Sequence, residues 1–278
     1  MRELTKLIVV VVMFITTSII AQDFQGVATY KSHRKVELKL DSTQMGGEMY
    51  ERMMASLKKQ FEKEYKLTFN KEESIYKVEE QLEAPQPQGM MVMVAMTGGS
   101  DLLYKNTKEQ RYTNQNESYS KLFLIKDKMV TPKWEMSGET KNIGDYTCYK
   151  ATMKTEVEVR ESGVSINGDK EFDDKPVMKE IITTAWYTPD IPVSNGPADY
   201  HGLPGLILEI NDGSQTLICT KIVLNPKEKV KIIEPSKGKK ISQEKYDEIM
   251  EKKAQEMRER YQHDRAGDGH RVEIRIGN

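Results

Sequence analysis

Sulfur dominates the side chains that could do chemistry in this sequence, with 16 methionines and two cysteines among 278 residues. Met45, Met49, Met53 and Met54 share one segment, and Met90, Met91, Met93 and Met96 share another. Thioethers are soft ligands that select Cu(I), so three or more converging sulfurs would make a copper site. Methionine is also an adaptable filler of cores and apolar cavities, because its side chain is unbranched and flexible. Met45, Met49 and Met53 recur every fourth residue, the ordinary spacing of a buried helical stripe. Packing around, or lining of, an apolar space is therefore the preferred reading and copper the alternative. Met45, Met49, Met53, Met90, Met91, Met93 and Met96 form the candidate ligand-binding set. No metal or cofactor is expected.

Nitrogen and oxygen chemistry is thinner. The four histidines are His33, His201, His263 and His270, and none stands in His-Glu-x-x-His spacing. There is no Gly-x-Ser-x-Gly elbow, phosphate-binding loop or dinucleotide fingerprint. His263, Asp264, Asp268 and His270 could hold a hard metal, but a Gly-rich acidic turn after a helix accounts for them equally well. His201 reads as a surface residue. No nucleophile has a base and an orienting partner at a recognisable spacing, so the chain reads as non-catalytic. Its 42 Lys and Arg are matched by 43 Asp and Glu, a net charge of -1. That balance disfavours nucleic acid as a partner.

The elements that must position these groups begin after residue 21. Arg2 and Lys6 precede an apolar run, Leu7 to Ile20, and Ala21 ends it. A basic start, a short apolar stretch and a small residue describe a secretory signal peptide over 1–21. A run of 14 is too short for a membrane span, which takes about 20 residues. The expected mature chain, 22–278, has no transmembrane span and lies in the periplasm or at the outer membrane. Export makes a disulfide between Cys148 and Cys219 the expected state, since both lie in strand-like segments.

Within 22–278, segments of alternating polarity separated by polar turns argue for a single domain built on an antiparallel, mostly meandering sheet. An amphipathic helix is expected over 43–65, and a second over about 242–263 with Ser242 as its N-cap. The expected class is α+β: a curved, half-barrel-like sheet with two flanking helices.

The most constrained stretch is Ala185-Trp-Tyr-Thr-Pro-Asp-Ile-Pro-Val-Ser-Asn-Gly-Pro197, then Tyr200-His-Gly-Leu-Pro-Gly-Leu-Ile-Leu-Glu-Ile210. Its prolines fix backbone angles, and its glycines allow angles and close approaches closed to other residues. Gly202-Leu-Pro-Gly-Leu-Ile207 resembles the hexapeptide for which the GLPGLI family of secreted bacterial proteins is named. Trp186-Tyr-x-Pro-x-Ile-Pro192, Gly196-Pro197 and Ile143-Gly-Asp-Tyr-x-Cys-x-Lys-Ala151 fit the same family. The likeness is densest over 140–223. It implies an envelope location and no particular reaction. The strand-loop-strand layout is also similar, at fold level, to lipoprotein carriers whose curved sheet wraps an apolar cavity. Trp186, Pro189, Pro192, Gly196, Pro197, Gly202, Leu203, Pro204, Gly205, Leu206 and Ile207 are expected to be structural, with Trp186 and Leu208 buried. The expectation for function is an exported binding or accessory protein that holds an apolar ligand or a partner segment. A soft-metal binder and an assembly partner of an outer-membrane complex are the alternatives.

Overall fold

The computed structural model describes residues 24–34, 36–37, 47, 51, 62–79, 102–159, 177–264 and 275–276. Alternation of polar and apolar residues yields strands nearly throughout: β1 (Gln25–Arg34), β2 (Val36–Glu37), β3 (Glu64–Asn70), β4 (Glu73–Val78), β5 (Leu102–Asn106), β6 (Arg111–Ser118) and β7 (Lys121–Lys128). They continue as β8 (Glu135–Ile143), β9 (Tyr146–Val159), β10 (Val177–Thr188), β11 (Leu206–Asn211), β12 (Gln215–Leu224) and β13 (Lys239–Ile241). Helix α1 (Gln243–Asp264) and strand β14 (Arg275–Ile276) follow.

Twelve strands form one sheet in the order β13-β7-β6-β5-β4-β3-β1-β12-β11-β10-β9-β8. Strands β2 and β14 pair separately. This corrects the expected α+β class: the protein is nearly all-β. The helix expected to run to residue 65 ends before β3, because Tyr65, Leu67 and Phe69 alternate with polar residues at period two. Of that expected helix the described residues before β3 are Gly47 and Glu51, both helical, and Glu62 and Lys63, which are not. The sheet is also mixed rather than purely antiparallel, since β13 runs parallel to β7. Nor is it a simple meander. The N-terminal strand β1 lies in the middle, paired with β3 on one side and β12 on the other.

The sheet curls. Gly196, in the segment joining β10 to β11, touches two strands that stand five places apart in the sheet order. Its carbonyl accepts from Lys105 Nζ of β5 at 2.9 Å, and a Cβ added to it would meet Ile207 of β11 at 2.8 Å. In a flat sheet those strands would be about 24 Å apart, so curvature brings them onto one residue. One core cluster accordingly joins Ala28 and Tyr30 of β1, Leu67 and Phe69 of β3, and Leu208 of β11. Tyr30 is fully buried there, and its hydroxyl donates to the Ile207 carbonyl at 2.7 Å.

Candidate functional site

Two places in this fold combine unusual chemistry with defined geometry. The first is the segment 189–205, which straps the interior of the curl. Its residues alternate in burial: Ile191, Val193 and Asn195 are buried, while Pro192 and Ser194 are exposed. The segment doubles back on β11. Leu206 N donates to Ile191 O at 3.0 Å, Ile207 N to Asn195 O at 3.0 Å, and Asn195 bridges His201. Gly205 is required by proximity, because a Cβ there would lie 2.1 Å from Thr188 O. Gly202 is required by its backbone angle, φ +90°.

Lys105 pins the strap from the opposite wall. Its ammonium donates to the carbonyls of Gly196, Ala198 and Tyr200 at 2.9, 2.6 and 3.2 Å. Burial pushes its pKa down to about 7, and the Asp199 carboxylate pulls the other way. Three carbonyls match the three N–H groups of the charged form. His201 is buried, not on the surface as its sequence context suggests. Its Nδ1 sits 2.8 Å from Asp199 O and its Nε2 has no partner. Burial pushes its pKa down, so the ring is neutral in the fold. Trp134 Nε1 donates to His201 O at 2.8 Å. These groups are spent on holding the loop. Among the described residues no cluster of His, Cys, Asp and Glu could hold a metal ion.

Leu203, Leu206, Ile207 and Leu208 are buried, and of these burial was expected for Leu208. Trp186 differs from its expected burial: it is half-buried, with Lys141 Nζ 4.5 Å from its ring centre. A register shift in the β10–β11 pairing falls between Trp186 and Tyr187. Pro189, Pro192, Gly202 and Pro204 are exposed at the bends, while Gly196, Pro197 and Gly205 are buried.

The second place is a groove of about 680 Å³ between α1 and the β6–β7 hairpin. The start of α1 is fixed firmly. Ser242 Oγ accepts from Lys245 N at 3.3 Å, and Asp127 Oδ2 accepts from Gln243 N at 3.1 Å. Tyr246 donates to Asn116 Oδ1 at 2.9 Å and meets Phe123 edge-on, ring centres 5.4 Å apart. Beyond Tyr246 the apolar stripe continues through Ile249, Met250 and Met257. These residues stay half-buried and line the groove with Phe123 and Tyr119. Lys121, Lys239, Lys253 and Arg260 stand at its margins, with Glu256 the sole carboxylate among its lining residues. Lys253 is paired with Glu256 at 2.5 Å.

The methionines proposed from the sequence, Met45, Met49, Met53, Met90, Met91, Met93 and Met96, all lie outside the described residues. Met250 and Met257 fall within the second helix expected from the sequence, over about 242–263, and were not singled out as a site. The available signal was a stripe running on after the tyrosine that anchors the helix. Cys148 and Cys219 are buried in one cluster as separate thiols rather than the expected bridge. Their strands β9 and β12 are not neighbours, since β10 and β11 stand between them.

No curated protein matches the chain. A family model described as "Protein of unknown function (Porph_ging)" matches residues 134–209, which hold the strap and its flanking strands but none of the groove. Two solved structures of PNGF-II are similar. One, in space group C2, has 13% identity and a TM-score of 0.46 over 82% of this chain and 32% of that one. The other, in space group P21, has 14% identity and a TM-score of 0.46 over 81% and 33%. The chain thus spans about a third of the length of the solved proteins it matches.

Proposed function

We propose that this protein is an exported, non-catalytic binding protein of the bacterial envelope that holds a lipid-like molecule. The observation that carries this is the groove beneath α1. Five apolar or aromatic side chains line a space of about 680 Å³, within the range of about 300–1,000 Å³ that small-molecule sites occupy. A half-covered apolar stripe needs an occupant or a cover, and a flexible thioether lining suits chains of variable shape. The basic, apolar opening of the sequence and the likeness of residues 202–207 to the GLPGLI hexapeptide support export. The strap, with its buried lysine and histidine committed to carbonyls, supports a structural role for that motif. The test is mass spectrometry of the protein recovered from the envelope of its own bacterium. The expected result is a mature chain beginning at Gln22, with a lipid released on organic extraction. A chain retaining Met1, or one without lipid that also fails to take up an environment-sensitive fatty-acid probe, overturns the reading.

A second reading, an assembly partner of an outer-membrane complex, is favoured by the far end of the sheet. Met136 on the terminal strand β8 and Val177, Met178 and Ile182 on β10 are all exposed large apolar side chains. Terminal strands present unpaired backbone groups to which another chain can add. Co-purification of a barrel protein, lost in a Met178→Lys/Ile182→Lys variant, is the result that would favour it.

A further inference from the structure

The charge at the groove margin selects among lipid-like molecules. Resting on the reading that the groove holds an acyl chain, we propose that its ligand is a single-chain anionic amphiphile, a long-chain fatty acid bound by its carboxylate. The groove gathers Lys121, Lys239, Lys253 and Arg260 against a single carboxylate, Glu256. Glu256 is already matched by Lys253. Among the described residues no carboxylate forms a salt bridge with Lys121, Lys239 or Arg260; Arg260 still acts on Glu256 through space, so Lys121 and Lys239 are the cations that the lining leaves without an anion. A neutral or zwitterionic head would leave that field unanswered, and an acidic peptide would leave the apolar floor unfilled. A fatty carboxylate answers both.

The floor suits one chain. Ile249, Met250 and Met257 lie along one side of α1 over about 12 Å, at 1.5 Å rise per residue, with Phe123 beneath. This strip is long enough to run beside part of one acyl chain. The hairpin turn at the mouth adds an independent sign that side chains there are chosen for contact. Tyr119 and Ser120 both adopt left-handed backbone, φ +51° and +57°. A two-residue turn of that form is normally made by Asn-Gly or Gly-Gly. Here it carries a tyrosine, 44% exposed, on the groove lining. Backbone strain accepted at a turn that aims an aromatic ring into a groove is characteristic of binding sites. The phenol hydroxyl, Lys121 and Lys239 together can receive a carboxylate, while the ring covers the first carbons of the chain.

The experiment is displacement of an environment-sensitive fatty-acid probe from the mature protein by palmitate, hexadecanol and palmitoyl lysophosphatidate, each below its aggregation limit. Palmitate should displace the probe with one-to-one stoichiometry and at least ~10-fold more tightly than hexadecanol, and raised salt should narrow that gap. The variant Lys121→Glu/Lys239→Glu/Arg260→Glu, all exposed positions, should fold normally, keep its hexadecanol affinity and lose the preference for palmitate. Equal affinity for palmitate and hexadecanol would overturn the carboxylate assignment and leave the acyl-chain reading intact. Tighter binding of lysophosphatidate than palmitate would overturn it in favour of a phosphate head. Failure of all three to displace the probe, or failure of the probe to bind, would overturn both readings.

Discussion

A lysine ammonium has three N–H groups, and Lys105 finds a carbonyl for each between residues 196 and 200. Removing it takes the ammonium from three acceptors, one buried and two part-buried. Hydrogen bonds to charged groups contribute about 1.5–3 kcal/mol each and are not additive. Lys105→Met should therefore cost roughly 3 kcal/mol or more in urea unfolding, with far-UV circular dichroism little changed. Wild-type stability in that variant would mean the strap holds its path without the clamp. The cysteines support a second prediction at this scale. Burial pushes Cys148 up to about 11 and Cys219 up to about 12. Because the thiolate is the reactive form, alkylation of the folded protein near pH 8 should be far slower than after denaturation. Denaturation without reductant should then expose two thiols. Labelling of neither would restore the bridge anticipated from export.

Among the elements, one carboxylate ties the link from β12 to β13 to strands β6 and β7. Glu234 accepts from Thr113 Oγ1 and Arg111 of β6 and from Lys126 of β7, at 2.6, 3.0 and 2.7 Å. Burial pushes its pKa up, but the bonds from Lys126, Thr113 and Arg111 outweigh that and hold it at about 2. The folded value lies below the unfolded one, so this stabilisation is complete above about pH 4.5 and is lost as pH falls toward 2. Arg111 and Lys126 are partly open to solvent, which screens the pairs. Glu234→Gln should then lose on the order of 1 kcal/mol at pH 7. Its stability should also fall less steeply than wild type between pH 4.5 and 2. Parallel acid titrations of the two proteins would contradict this role. The N-terminus of α1 was legible beforehand, because Ser242 carries a capping signature that depends only on its near neighbours.

For the whole molecule, the decisive feature is that the first strand of the sheet occupies its centre. Strand β1 pairs with β3 and β12 along nearly its full length, so both walls of the curl wait on a segment far in sequence from β12. Deleting residues 24–34 should leave β3 and β12 as open edges and prevent formation of the main core. The expected outcome is loss of cooperative thermal unfolding, together with aggregation from the exposed edges. Hydrogen exchange on the intact chain should find its slowest amides in β1. A cooperative transition in the deletion variant would show that the two walls fold independently.

Features set by near neighbours were readable from residue order. Short apolar segments between polar turns marked most of β3 to β7 and β9 to β12, and Ser242 marked the start of α1. The dense prolines and glycines of 189–205 marked a fixed path, since their constraint is intrinsic to each residue. Features that depend on partners distant in sequence were not readable. Nothing local distinguishes Lys105 from an exposed strand lysine, because its burial comes from carbonyls 91 to 95 residues away. His201 was misread for the same reason. The insertion of β1 between β3 and β12, the separation of Cys148 from Cys219 by two strands, and the groove beside α1 all follow from strand order. Strand order is settled by side-chain packing between segments remote in sequence, and the backbone hydrogen bonds that join them leave no local mark in the residue order.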